Sequence, residues 1–442
     1  MSKGQKILYS LGSLGAGLPA AAVSGFLLFF YVDQLKMSPA LFGLGMVIYS
    51  IWNAINDPLA GQISDNTRSK WGRRIPYIRF LMIPLAISFT LLWTPPFVTA
   101  VGHEMGMFIY FLVVLFFYDG LYTFVILNWT ALFPEMFPGL KERAQVSAWR
   151  QAFGIFGNIV GVSIPPLLYP VIGWFGMGLA YALLTLIALA LSLRGSKENP
   201  AFATKEGLAL WPALVATLAN RSFLTLVLAD FLWQFSFGII LAVLPFFAKY
   251  VLHIAGLQQT LLSGIIFIIV IPMVFVWGGL SAKWGARNTV MISSAAFGLT
   301  LIPLGLASSV SWAYAFAVVV GLALAGLILL IDPLIADVVD EDEVRTGRRR
   351  EGMYFGINGF MVRLSIAFQG LMVTGVMAAT GYDANAAAQV PSAIAGFRAL
   401  LIGAPIAALA LALVLMSIYP LHGKRLAEVR ATLAERRGTA KS

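Results

Sequence analysis

Asp57 is a carboxylate set inside an otherwise apolar helical run, within the segment IWNAINDPLAGQISDNTRSKWGRR at 51–74. Ionisable groups in lipid are costly and face a water-filled path or a partner, so Asp57 is a functional residue by default. The rival reading is that Asp57 only caps or orients its helix before Pro58. It fits less well, because mid-membrane carboxylates are seldom structural. A few turns further on the segment breaks into a loop dense in Arg and Lys, the pattern of a cytoplasmic turn between two spans. A buried charge beside such a hinge suggests a transporter. Asp119, near the middle of the apolar run 105–136, and Asp230, early in the run 223–250 and near Trp233 and Gln234, are further carboxylates in apolar surroundings. Asp230 reads equally as a gate or as the partner of a basic residue on another helix.

The elements that must position these groups are membrane helices. Of 442 residues 59% are hydrophobic and 11% charged, against about 25% charged in soluble proteins. The net charge of +10 could suggest nucleic acid, but its distribution excludes that partner. Lys and Arg concentrate at both termini and in every second loop. Only Lys36, Lys249 and Arg398 fall near the opposite face, and Arg363 lies within a span. That asymmetry places both termini in the cytoplasm. With no Cys, disulfides and thiolate metal sites are excluded. The first apolar run is long and lacks a small-residue cleavage site, so it is expected to be a retained helix.

Spans of roughly 20 residues fit at 9–34, 40–64, 76–98, 105–136, 147–171, 175–194, 223–250, 259–282, 289–308, 311–336, 353–380 and 393–420. These make an all-α fold of twelve transmembrane helices. A repeat divides it: Ser69-Lys70-Trp71-Gly72-Arg73-Arg74 follows the second span, and Ala282-Lys283-Trp284-Gly285-Ala286-Arg287 follows the eighth, close to half a chain later. The expected organisation is an N-terminal six-helix half at 1–194, a central cytoplasmic linker at 195–222, a C-terminal half at 223–422 and a basic tail at 423–442. The tail reads as a solvated or headgroup-facing extension. Two pseudo-symmetric halves around a midplane site are a frequent build of secondary transporters.

Three blocks carry a family resemblance: 51–74, NWTALFPEMFPGLKERAQVSAWR at 128–150, and ADVVDEDEVRTGRRREGMYFGINGFMVR at 336–363. Through them the chain resembles the major facilitator superfamily and, within it, the glycoside-pentoside-hexuronide:cation symporters, the melibiose permease-like group. The resemblance implies that Asp57 is the residue that binds the coupling cation. Relatives that use sodium have a second acid four positions earlier, on the same helical face; here that position is Asn53. An Asn carbonyl can ligate a hard cation but adds no charge. A lone carboxylate suits a proton, which is therefore the expected coupling ion, with sodium at Asp57 and Asn53 as the alternative. No cofactor is expected.

The same resemblance implies a substrate site. Relatives that carry sugars have acids early in helix I and in helix IV, at positions occupied here by Gly17 and Ile126, with Asp119 a partial replacement on the same face as Ile126. Arg150 matches a helix V arginine of the family's sugar site, and Arg363 falls on a helix XI lysine position. Trp129 stands where relatives place an aromatic beside the sugar, with Asn128 just before it. Two acids lost and two cations kept imply a glycoside or hexuronide-type solute, or another anionic one. A lysophospholipid is the alternative, as in the lysophosphatidylcholine symporters that share these motifs. Asp65 with Arg73 and Arg74, Glu142 with Arg143, and the run Asp337–Glu351 put both signs at the inner mouth, where loops of this superfamily latch the halves.

Enzyme chemistry is not expected. His103, His253 and His422 lie at span ends, and no nucleophile–base or phosphate-cradling motif is present. A channel would not need two related halves. A non-transporting receptor on the same fold is the alternative from another class. The expected protein is a monomer in the cell (inner) membrane, with the bilayer and a small-molecule substrate as partners.

Overall fold

A computed structural model describes residues 2–137, 140–198, 217–347, 350–386 and 388–439. Its elements are helical. In chain order they are α1 (Lys3–Ser10), α2 (Gly12–Leu28) running into a π-helical turn at Phe29–Gln34, α3 (Pro39–Asn66), α4 (Ile75–Leu92), α5 (Glu104–Met136), α6 (Leu140–Ser163) and α7 (Pro165–Gly195). There follow α8 (Arg221–Tyr250), α9 (Leu257–Trp284), α10 (Ala286–Gly305), α11 (Val310–Thr346), α12 (Glu351–Ala379), α13 (Pro391–Ser417) and α14 (Gly423–Thr439).

The breaks have local causes. Pro occupies the first turn of α3, α4 and α7, where its missing N–H costs nothing. Gly285 (φ 80) separates α9 from α10, and Gly347 (φ 68) ends α11 in the left-handed region that glycine tolerates. One boundary differs from expectation. Residues 165–171, assigned from sequence to the fifth span, belong to α7, because Pro165-Pro166 stops α6 and starts the next helix. The break expected between the spans ending at 171 and starting at 175 falls at Gly173, whose non-helical backbone (φ 71, ψ 171) kinks α7 there.

Ten described stretches are long and apolar enough to cross a membrane. α3 and α6 match them in length, at 28 and 24 residues. They fall short in apolarity because α3 carries Asn53, Asn56 and Asp57, and α6 carries Glu142, Arg143, Gln145, Arg150 and Asn158. With these two, the described helices reach the twelve spans expected.

The chain forms two compact units. The first joins Met1–Lys205 with Leu241–Gly264 and Gly370–Gly396; the second joins Glu206–Ile240, Ile265–Gln369 and Phe397–Ser442. Within the first, α2 and α6 approach through glycines. A Cβ on Gly161 would lie 2.6 Å from the Leu18 carbonyl oxygen, and one on Gly17 would lie 3.0 Å from that of Gly154. Small residues allow such close approach in membranes, where packing rather than water drives association. A side chain at position 17 would press on the Gly154 carbonyl and on Asn158 Oδ1, at 3.0 and 3.1 Å from its Cβ.

Within the second unit α14 is not a free tail. Arg425 pairs with Glu341 at 2.5 Å and Arg430 with Asp337 at 2.8 Å, and Val429 and Leu433 on the same helix are buried. The tail expected as a solvated or headgroup-facing extension is thus a helix docked through one apolar face. Its apolar residues lie four apart, a spacing that a net-charge reading overlooks. Next to it, Asp342 receives Arg350 at 2.6 Å and holds that guanidinium above its usual range by hydrogen bonding. Of the linker expected at 195–222, residues 199–216 lie outside the described residues, as do Arg348 and Arg349.

Candidate functional site

Helical spacing puts Tyr49, Asn53, Asn56 and Asp57 on one face of α3, and Asp119 and Thr123 one turn apart on α5. The two faces meet in a polar cluster. Asp119 Oδ1 accepts from Tyr49 Oη at 2.9 Å and from Asn53 Nδ2 at 3.2 Å, and Oδ2 accepts from Asn56 Nδ2 at 3.0 Å. Asn56 Nδ2 also donates to Thr123 Oγ1 at 2.9 Å, and Thr123 in turn donates to Asp57 Oδ1 at 3.1 Å. Asp57 and Asp119 are therefore joined through a single hydroxyl and a single amide. Asn53, Asn56, Asp119 and Thr123 are buried and Asp57 is half-buried. Asn53 Oδ1 is buried with no hydrogen-bond partner among the described residues. Sequence reasoning named Asp57, Asn53 and Asp119. It missed Asn56, Thr123 and Tyr49, although their three- and four-residue offsets from the named groups were there to be read.

Arg150, on α6, lies over two aromatic rings, 4.6 Å from the Trp129 centroid and 4.5 Å from that of Phe133. Its Nε is buried without a partner, and no described carboxylate pairs with it. Trp129 is itself 2% exposed, donates its indole N–H to the Tyr9 carbonyl at 3.2 Å and stacks on Tyr9 at 5.3 Å. It forms the floor under the guanidinium. Asn128 is buried, donates to the Phe124 carbonyl at 2.8 Å and keeps an unpartnered Oδ1.

In the second unit, Arg363 is half-buried on α12. Asp230 on α8 is fully buried, accepts from Gln234 Nε2 at 3.4 Å, and has Asn358 and Asp332 as neighbours.

The basic loop after α3 is tied down by acids that sequence reasoning did not select. Glu135, at the end of α5, receives Arg73 at 2.7 Å and Arg74 at 3.1 Å. Glu198, just past α7, accepts the backbone N–H groups of Arg73 and Arg74, each at 2.9 Å. Glu142 pairs with Lys6 at 2.7 Å, while Arg143 Nε donates to the Phe137 carbonyl at 3.1 Å. The side chain of Asp65 lies outside the described residues. All of these described pairs bind elements of the first unit to one another.

A last cluster was unforeseen. Asp33, in the π-helical turn and 0% exposed, accepts from Lys249 Nζ at 2.6 Å, Gln34 Nε2 at 2.6 Å, Tyr382 Oη at 2.9 Å and Tyr250 Oη. Only the placement of Lys249 near the face opposite the termini hinted at it.

Comparison with known proteins shows the family. Residues 8–423 match the family described as MFS/sugar transport protein. The chain is 24% identical to the isoprimeverose transporter of Lactiplantibacillus pentosus, over 86% of this chain and 81% of that one. It is 26% identical to the glucuronide carrier protein homolog of Escherichia coli (strain K12), over 97% and 95%. Among solved structures, a bacterial homolog to the human lysosomal transporter Spinster, inward-facing and unoccupied, superposes with a TM-score of 0.64 at 14% identity, covering 98% of this chain and 99% of that one. Matched over almost its whole length, the chain is a multi-pass membrane protein that belongs to the MFS/sugar transport protein family.

Proposed function

We propose that the protein is a cation-coupled symporter that moves a sugar-like solute bearing an anionic group by alternating access, with Asp57 and Asn53 at the coupling site. The observation that carries the anionic preference is Arg150. It is a guanidinium over Trp129 and Phe133 with no described carboxylate as its counter-ion. A buried cation is stable only with a partner or a hydrated path, and the planar fork of Arg fits a carboxylate or sulfonate in two-point fashion. The glucuronide carrier protein homolog among the relatives supports a hexuronide-type cargo. Arg363, Asp119, Asn128 and Trp129 complete the proposed substrate contacts, and both termini face the cytoplasm of the cell membrane.

Counterflow in proteoliposomes tests the reading. Labelled glucuronide should accumulate transiently in vesicles preloaded with the unlabelled compound, and a neutral pentoside should compete poorly. Binding without counterflow would indicate a receptor, and equal competition by the neutral sugar would remove the anionic preference.

A further inference from the structure

We propose that Asp230 is a proton-binding site of the second unit: a neutral carboxylic acid that donates its hydrogen to Asn358 and exchanges it through Asp332. The site is separate from Asp57 and Asp119 and does not depend on the symport reading.

Asp230, on α8, is 0% exposed. Its polar neighbours are Asn358, Gln234 and Asp332, and no described Lys, Arg or His pairs with it. A carboxyl buried without a counter-charge takes a proton rather than stand ionised. The hydrogen-bond pattern calls for the same hydrogen. Asp230 Oδ1 accepts from Gln234 Nε2 at 3.4 Å, whereas Oδ2 is buried without a partner. Asn358, on α12 and 9% exposed, also has a buried Oδ1 without a partner. Neighbouring residues that each hold an orphan acceptor are rare in native proteins. One hydrogen on Asp230 Oδ2 satisfies both, because a protonated carboxyl is a donor and the Asn358 amide can turn its oxygen to receive it.

Asp332, on α11, supplies the route. It is exposed where Asp230 is buried, and an exposed acid in a membrane helix faces water rather than lipid. Two adjacent carboxyls away from bulk water do not both ionise, so the buried one keeps the proton. Asp332 is the titratable group that faces Asp230. On α12, Arg363 lies five residues past Asn358, off that face of the helix. α13 meets α8 where Ser236 Oγ donates to the Pro405 carbonyl at 3.3 Å, and α9 meets it through Phe267 against Phe237. A metal ion fits the site less well. Hard cations gather several oxygen ligands, and one of the Asp230 oxygens already faces the Gln234 amide nitrogen. Loss of the proton leaves an uncompensated anion between α8 and α12, so the packing of these helices loosens when Asp230 ionises.

Infrared spectroscopy of the full chain in detergent, followed through an alkaline titration, reads the C=O stretch of a protonated carboxyl. A band is expected at neutral pH that vanishes in Asp230→Asn, survives in Asp332→Asn and moves to higher frequency in Asn358→Ala, which removes the acceptor. Hydrogen exchange within Arg221–Tyr250 should quicken at high pH in the wild type and stay slow in Asp230→Asn, a neutral isostere of the acid. That slow exchange also shows that the variant is folded. The inference is overturned if no such band exists at neutral pH, if the band survives Asp230→Asn, or if Asp332→Asn removes it instead. It is overturned as well if sodium at constant pH displaces the proton, which would assign the site to a cation, or if exchange at high pH is equal in the two proteins. None of these outcomes touches the symport reading.

Discussion

Asp57 and Arg150 carry opposite charges into membrane helices, and each is held by a different device. Asp57 accepts a hydroxyl hydrogen from Thr123, whereas Arg150 rests on aromatic faces. Asp57→Asn is expected to abolish uphill accumulation while downhill exchange persists, read as uptake against a gradient beside equilibrium exchange. Arg150→Lys keeps the charge but loses the flat fork. Substrate affinity should fall by about ten-fold, the effect of one charge-assisted hydrogen bond worth roughly 1.5–3 kcal/mol. Arg363→Ala should weaken binding on the same scale with Arg363→Lys recovering part of it, both read by calorimetry in detergent. The acids and arginines were legible in the sequence because a charge in an apolar run has few bland explanations. Asn56, Thr123 and Tyr49 were not, because short neutral side chains are common in membrane helices and only their cross-helix partners give them meaning. Glu135 and Glu198 were missed for a related reason: each lies at a helix end, where an acid is ordinary, and their contacts with the basic loop are invisible to local spacing.

At the scale of elements, hydropathy and the alternation of basic loops placed the spans well. The error at α6 and α7 came from reading a continuous apolar run as continuous helix, where Pro165-Pro166 restarts it. At α14 the charge was read and the apolar spacing of Val429 and Leu433 was not. Its outward arginines are more than half exposed even while paired, at 56% for Arg425 and 62% for Arg430. Such pairs contribute about 0–1 kcal/mol each, so Arg425→Ala and Arg430→Ala should each change the melting temperature little. Leu433 is 3% exposed, and truncating a buried Leu costs about 2–5 kcal/mol. Leu433→Ala should therefore release α14, seen as faster proteolysis within 423–439 and a lower melting temperature. If the arginine variants prove the more damaging, ion pairing rather than packing holds the helix.

For the whole molecule, the largest departure from a reading by sequence neighbourhood is Asp33. It gathers Lys249, Tyr250 and Tyr382 across sequence separations of 216, 217 and 349 residues. Replacing Asp33 with Ala leaves two phenols and an ammonium without their acceptor, and a marked drop in thermal stability is expected. In that variant Lys249, 39% exposed, regains water, whereas Lys249→Ala leaves the buried Asp33 without its counter-charge and should lower thermal stability as well. This knot also dictates an order of events at the ribosome. At about 5–20 residues per second, Tyr382 emerges tens of seconds after Asp33 has been threaded into the bilayer. Until Lys249 and Tyr250 follow, the acid lacks three of its four donors, and until Tyr382 follows it lacks one. A chain interrupted before residue 382 would leave the buried Asp33 carboxylate without the Tyr382 hydroxyl.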